Sequence, residues 1–399
     1  MSDTGYFQFE LRTQIHCAPG SVLRIPSLFE QLGGKRVLLV SDAGLKQVGV
    51  VQRVVDAFDM PSCGTTPQLV GVYTDIAPDA ACDTVNAALA YAREVAADAI
   101  LAVGGGSVLD AAKGVKYALH QHMTDIREAI QAGVKLETRP QAKPMDIPHI
   151  AVPTTAGTGA EVTNGAVLYN EQAGIKGLML VPYLEADIAV LDANLTLGLP
   201  AGITAATGFD ALTHAVESIC SPIKNGFTSA LANESARMIE ANLATSVNHG
   251  SDLGARSAML QASTMACAAV VNSLNAAPVH NCAHAIGALF HIPHGDANGI
   301  LLPAVLETLT EFYLPHAASL AFALNLDTRG RTPEQLLEAV IQRIRAMQDE
   351  CGFDGTLNRF NVSSADMEKI VMAIATDPLA MFYPIPADKI AAIVEKVIK

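Results

Sequence analysis

Four of the chain's eleven histidines fall within fifteen positions, in HNCAHAIGALFHIPH at 280–294. His280 and His284 stand four residues apart, a spacing that stacks two side chains on one helix face, one turn apart. Upstream, TGFDALTHAVES repeats the spacing with a carboxylate and an imidazole, Asp210 and His214. Groups placed this way can share a divalent ion, and three histidines with one carboxylate suit Fe²⁺ or Zn²⁺ by ligand softness. The pattern is not the HExxH zinc-protease motif, because Asn281 stands where the general-base glutamate would be. His294 follows a proline and precedes Gly295, which puts it where a helix has ended. A single histidine is more often packed or surface-exposed than ligating. Two i, i+4 pairs in apolar stretches plus a turn histidine together point to a metal, and leave open which imidazoles take it.

A second group of residues suits a nucleotide. AVGGGSVLDAAKG reads as a strand, three glycines and a helix start. Gly104, Gly105 and Gly106 put no Cβ in the way of a phosphate, and Ser107 is placed to cap the helix, whose first N–H groups face an anion. The spacing is not GxGxxG, so the usual Rossmann fingerprint is absent. Asp42 ends the apolar run KRVLLVSD, where a carboxylate can accept from the two ribose hydroxyls of an adenosine and repel a 2′-phosphate. A helix N-cap is the plainer role for it. It precedes the glycine loop by about sixty residues, so any nucleotide site is assembled from several strand ends. PTTAGTGAE adds Thr154, Thr155 and Thr158, and GIKGLML adds Lys176; Asp110, at the start of the helix after the glycines, joins the candidate cofactor set.

These residues need elements to position them. Short apolar runs (35–42, 66–75, 99–107, and the strand that opens 148–161 before a small-residue loop) alternate with amphipathic helical stretches (83–98, 110–120), the pattern of a parallel sheet covered on both faces. Segment 131–147 is polar and contains proline, and reads as a surface loop. After Pro200, Ala- and Leu-rich stretches dominate at 204–220, 227–245, 254–276, 280–290, 303–325, 333–351, 363–375 and 386–398. We expect an α/β domain over 1–195, with a mostly parallel sheet, and an all-helical domain over 196–399.

With 399 residues, half of them apolar and 17% charged, the chain can bury two cores. A net charge of −14 disfavours nucleic acid or an anionic membrane as the main partner. Seven scattered cysteines without CxxC spacing fit reduced thiols in a cytoplasmic protein. The first sixteen residues lack the apolar core of a signal peptide. The longest apolar stretch, near 256–280, is broken by Ser, Gln and Asn, and reads as a buried helix instead of a membrane span.

AVGGGSVLDAAKG, PTTAGTGAEVT, ATGFDALTHAVES and VHNCAHAIGALFHIPHGDANGILLP, in that order, resemble the signature blocks of the iron-containing (group III) alcohol dehydrogenases, and are similar to lactaldehyde-reductase and 1,3-propanediol-dehydrogenase-type members. The resemblance runs over roughly residues 10–395. It implies the dehydroquinate-synthase-like fold: an N-terminal dinucleotide-binding α/β domain, a C-terminal helical domain and an active site between them. It implies Asp210, His214, His280 and His294 as ligands of one Fe²⁺, with Zn²⁺ as a substitute, and His284 beside the metal as a non-ligand. It also implies NAD, with the GGGS loop on the pyrophosphate, Asp42 on the adenosine ribose and the threonines and Lys176 as further contacts, a small alcohol or aldehyde as substrate, and a homodimer or larger oligomer. His291 and Cys282 fall at positions where relatives vary; we read His291 as substrate-pocket lining. TDIAPDAA at 74–81 is a loose version of the family's Pro-containing loop.

The chemistry accounts for the residue types. Removing hydride from an alcohol's carbon requires the oxygen to lose its proton, and metal coordination lowers the pKa of bound water from about 16 towards about 7. His284, with an imidazole's ordinary pKa of about 6.5, suits a proton relay. The rival reading is a metal- and NAD-dependent lyase or cyclase of the dehydroquinate-synthase type, which needs a basic cluster for a sugar phosphate; few Lys or Arg lie near the metal blocks.

Overall fold

A computed structural model describes residues 6–59, 67–131 and 133–398. Cys63 and the first residue of the 66–75 run lie outside them. The strands are β1 (Gln14–Cys17), β2 (Arg36–Val40), β3 (Gln68–Tyr73), β4 (Ala99–Gly104), β5 (Val134–Leu136), β6 (His149–Pro153), β7 (Gly165–Asn170), β8 (Ile175–Leu180) and β9 (Ile188–Leu191). Among them run α1 (Ile25–Leu32), α2 (Ala43–Gln47), α3 (Val50–Val55), α4 (Cys82–Glu94) and α5 (Gly106–His120). Six strands form one parallel sheet in the order β1-β9-β6-β4-β2-β3.

β4 and β6 are buried at every residue. Their side chains alternate between two cores, as a period of two requires. Val37, Leu39, Leu101, Val103, Ile150 and Val152 pack with Phe29 of α1 and Val54 of α3. Leu38, Val40, Ile100, Ala102 and Ala151 face Leu89 of α4 and Val115 of α5 on the other side. Continuous apolar runs therefore become central strands, because both faces are covered.

A second, three-stranded sheet has the order β5-β8-β7, with β7 and β8 antiparallel. Segment 131–147 is thus not wholly loop. A strand of three residues is too short to show a period, and the hairpin strands mix polar and apolar positions on a half-exposed sheet. Lys113 of α5 ties this sheet to the helix: fully buried, its Nζ donates to Asp110 Oδ1 (3.2 Å), Thr163 Oγ1 (2.8 Å) and the Gly165 carbonyl (2.6 Å). Three acceptors are what a buried ammonium needs.

The second half is helical: α6 (Ala201–Cys220), α7 (Gly226–Asn248), α8 (Leu253–Val271), α9 (Pro278–Phe290), α10 (His294–Thr308), α11 (Thr310–Tyr313), α12 (Ala317–Ala323), α13 (Pro333–Glu350), α14 (Met367–Thr376) and α15 (Ala387–Val397). α6 is buried along nearly its whole length and packs with α7, α8 and α10 around Phe209, Leu212, Leu243 and Ile300. Two boundaries differ from expectation. The stretch read as 256–280 is most of α8, a turn and the start of α9. His294 does follow a helix end, but it also opens α10, and Pro303 sits inside that helix. Two compact units result: Leu11–Thr155 with Gly159–Gly198, and Met1–Glu10, Ala156–Thr158 and Leu199–Lys399. No helix among the described residues is long and apolar enough to cross a membrane.

Candidate metal and nucleotide sites

The helical unit gathers the metal candidates. α6 supplies Asp210 and His214, α9 supplies His280 and His284, and the first turn of α10 supplies His294. Gly295 makes the last placement sterically feasible: a Cβ there would lie 2.6 Å from the Ala206 carbonyl oxygen of α6, so only glycine lets the two backbones approach this closely. His294 Nε2 then lies 3.5 Å from Asp210 Oδ1, and His280 Nε2 lies 3.9 Å from the same oxygen. Asp210, His280 and His294 offer ligand atoms all within 4.8 Å of one another. His214 is adjacent but outside that triplet. Its ring stacks 4.7 Å from that of His280, and its Nδ1 is buried without a hydrogen-bond partner.

Electrostatics agree with a cation-seeking cluster. Burial alone would raise the pKa of Asp210, which is 1% exposed, but His214, His294, His280 and Asn298 outweigh it and hold the carboxyl below its ordinary value. Burial lowers the pKa of His214 against the pull of Asp210 and a backbone hydrogen bond with Gly157. For His280 burial also lowers, but Glu217 and then Asp210 reverse the direction and raise it.

Glu217 was missed from sequence. It is 2% exposed, and its Oε1 accepts from the Val279 and His280 backbone N–H groups (2.7 and 3.2 Å) in the otherwise uncapped first turn of α9. Its Oε2 lies 2.5 Å from His280 Nδ1. One carboxylate therefore caps α9 and orients an imidazole. Asp210, His214 and Glu217 form an i, i+4, i+7 stripe on an apolar helix, a signal present in the sequence and not used. Asn298, one turn after His294, was missed because α10 was not expected to begin at His294. Asp377 lies 3.9 Å (Oδ2) from His284 Nδ1, whose side chain is 45% exposed. The ring of His284 stacks 5.2 Å from that of His294. His291 is an exposed left-handed cap (φ 54°) that closes α9 onto Gly287, a local task that histidine tolerates.

The nucleotide candidates fall mostly in the α/β unit. Because the strands are parallel and β6, β4 and β2 are neighbours, Thr154, Gly105 and Asp42 follow adjacent strand ends along one edge of the sheet. The connection reverses direction between β2 and β4, the position where open sheets of this type hold ligands. Thr154 N–H donates to the Gly104 carbonyl (3.0 Å), fixing the two loops together. Gly104 is required by packing as well: a Cβ would lie 2.5 Å from that of Val108. α5 begins at Gly106 with no side-chain cap, so Ser107 is not the cap expected of it; it lies inside the first turn, and its Oγ accepts from the Asp79 N–H (3.1 Å).

Asp42 Oδ1 caps α2 through the Leu45 N–H (2.9 Å). Asp110 is already engaged, by Lys113 and by the Val167 N–H (3.0 Å), which makes it a clamp between α5 and β7. Lys176 Nζ pairs with Asp79 Oδ1 at 2.9 Å. Asp79 and Ala80 are consecutive non-glycine residues with φ of 59° and 49°, a strained pair beside the glycine loop. Ala156–Thr158 groups with the helical unit, so Thr158 falls in a different unit from Thr154 and Thr155.

Residues 12–193 match the family described as iron-containing alcohol dehydrogenase, and residues 204–398 match its Fe-containing C-terminal part. The chain belongs to the iron-containing alcohol dehydrogenase family. It is 32% identical over 93% of its length to long-chain-alcohol dehydrogenase 1 of Geobacillus thermodenitrificans, covering 91% of that protein. It is 34% identical to 1,3-propanediol dehydrogenase of Klebsiella pneumoniae, covering 87% of each chain. A crystal structure of 1,3-propanediol oxidoreductase superposes with a TM-score of 0.89 at 31% identity, over 98% of this chain and 100% of that one. The parallel α/β and helical architecture is that of the family. These likenesses favour the dehydrogenase reading over the lyase.

Proposed function

We propose that this family member is an NAD(H)-linked alcohol dehydrogenase or aldehyde reductase in which Asp210, His214, His280 and His294 hold one Fe²⁺ or, by substitution, Zn²⁺. The observation that carries this is the convergence of Asp210, His280 and His294 within 4.8 Å, with a buried carboxylate behind His280. The donor set fits: neutral imidazoles and one carboxylate suit these ions, and the Nδ1 of His214 is buried and uncommitted among the described residues. When bound, the ion supplies Lewis acidity at a substrate oxygen and the nicotinamide supplies or takes up hydride.

The chain's own residues do the rest. Glu217 keeps a proton on His280 Nδ1, which leaves the Nε2 lone pair facing Asp210 and His294. His284, half exposed and beside Asp377, carries a proton between the reacting oxygen and water. N–H groups at the start of α5 hold a pyrophosphate, with Thr154, Thr155 and Thr158 as further nucleotide contacts, and Asp42 Oδ2, which makes no hydrogen bond among the described residues, accepts from the adenosine ribose. Lys176 reaches the same pyrophosphate by exchanging its partner Asp79. We place the nucleotide-binding domain at 1–195 and the metal-binding domain at 196–399, and the enzyme in the cytoplasm as a homodimer or larger oligomer acting on a small alcohol or aldehyde.

The test is direct. Protein loaded with Fe²⁺ or Zn²⁺ should oxidise NADH when offered a panel of aldehydes, and metal-stripped protein should not. Failure with every carbonyl removes the reading. Asp210→Ala and His280→Ala should lose both metal and turnover; full metal content in either would show that the ligands are misassigned.

A further inference from the structure

Asn298 is fully buried in α10, one turn beyond His294. Its amide nitrogen donates to Asp210 Oδ1 at 2.7 Å and lies 3.1 Å from His294 Nε2 and 3.3 Å from His280 Nε2. Its Oδ1 is buried with no hydrogen-bond partner. A buried orphan acceptor is unfavourable and calls for an explanation. The three neighbours supply it. Asp210 is a carboxylate, and Glu217 on Nδ1 leaves His280 Nε2 as a lone pair. Turning the amide over would set its oxygen against the carboxylate and that lone pair. The nitrogen, with two hydrogens, is the end that the cluster accepts.

We infer that Asn298 is the positioning residue of the metal site. Its amide holds the Asp210 carboxylate and the His280 lone pair converged beside His294 when no cation does so, and it keeps Asp210 aimed once the ion arrives. Without it, the Asp210 carboxylate loses this donor, and Asp210 and His294 swing apart through side-chain rotation. The ion must then reassemble its site, so affinity falls. Residues that orient metal ligands this way typically change affinity about tenfold to a hundredfold when removed. The inference rests on the metal reading given above.

The experiment titrates the metal-stripped, full-length protein with Fe²⁺ under anaerobic conditions, and separately with Zn²⁺, against a competing chelator. Wild type, Asn298→Ala, Asn298→Ser and Asp210→Ala are compared, with circular dichroism reporting that each is folded. Asn298→Ala should weaken both ions by about tenfold to a hundredfold, and Asn298→Ser, which keeps one donor, should fall between it and wild type. A purely structural Asn298 would lower the melting temperature of the metal-free protein without moving the metal dissociation constant. Asn298→Ala binding within threefold of wild type, or Asn298→Ser no better than Asn298→Ala, overturns the inference. Asp210→Ala separates the two claims: if it still binds the ion like wild type, the metal reading itself has failed. Should Asn298→Ala not fold, Asn298→Ser alone decides, since unchanged affinity there is equally fatal.

Discussion

Glu217 on α6 and His280 on α9 are joined by a 2.5 Å contact between Oε2 and Nδ1, while the other carboxylate oxygen caps the first turn of α9. The pair decides which imidazole nitrogen faces the metal candidates. Glu217→Gln keeps an oxygen for the backbone donors but offers an NH₂ to Nδ1, which favours the tautomer with its proton on Nε2. Metal affinity should drop about tenfold to a hundredfold, read by elemental analysis after dialysis against a weak chelator. Undiminished metal content would show that Glu217 only caps the helix.

His284 stands next to the ligand candidates without joining the triplet. His284→Ala should retain metal and lose on the order of 10²-fold in kcat near neutral pH, the size expected of a lost acid–base group. Loss of the metal in this variant would instead make His284 a ligand.

Asp42 lies at the end of β2, next to the strand that carries the glycine loop. Its charge should make kcat/KM larger with NAD than with NADP, and Asp42→Gly should narrow that gap by removing the repulsion of a 2′-phosphate. Equal kcat/KM values in the wild type would dispose of this assignment.

Asp79 holds Lys176 and sits against Ser107, so a dianionic pyrophosphate on the glycine loop meets a carboxylate. Asp79→Asn should tighten NADH binding by about threefold, the effect of one exposed charge several ångströms away in water. Fluorescence titration measures it, and weaker binding in the variant would mean that the ion pair holds Lys176 in its productive place.

His316, whose Nδ1 lies 2.9 Å from Lys224 Nζ, has its pKa lowered to about 4 by burial and by that lysine. A histidine with a depressed folded-state pKa contributes stability above its unfolded value of about 6.5. That stability is lost as pH falls towards 4, because the unfolded chain takes up the proton first. Wild type should therefore lose stability from this group across that window. His316→Gln, which cannot titrate, should show a shallower decline in urea-melt stability between pH 6.5 and 4; parallel curves would assign the acid sensitivity elsewhere.

Much of the molecule was legible one element at a time. Apolar runs of strand length announced β2, β4 and β6, because burial on both faces leaves no polar alternation to confuse them. Helical periodicity marked α4, α5 and most of the second half. The β7–β8 hairpin was not legible, since half-exposed strands carry mixed residues. The start of α10 was hidden because Pro293 reads equally as an ending and as a helix N-terminus.

What the sequence determined by itself is local: the four-residue spacings that put Asp210 with His214 and His280 with His284 on shared helix faces, and the small residues that shape the phosphate loop. What only the tertiary structure decided is which faces meet. Parallel strand order sets Asp42 beside a loop about sixty residues away. The absence of a Cβ at Gly295 lets α10 close on α6, and that contact brings His294 and Asn298 to Asp210. Periodicity states which side of a helix is buried; the distance between two helices depends on every atom that keeps their backbones apart.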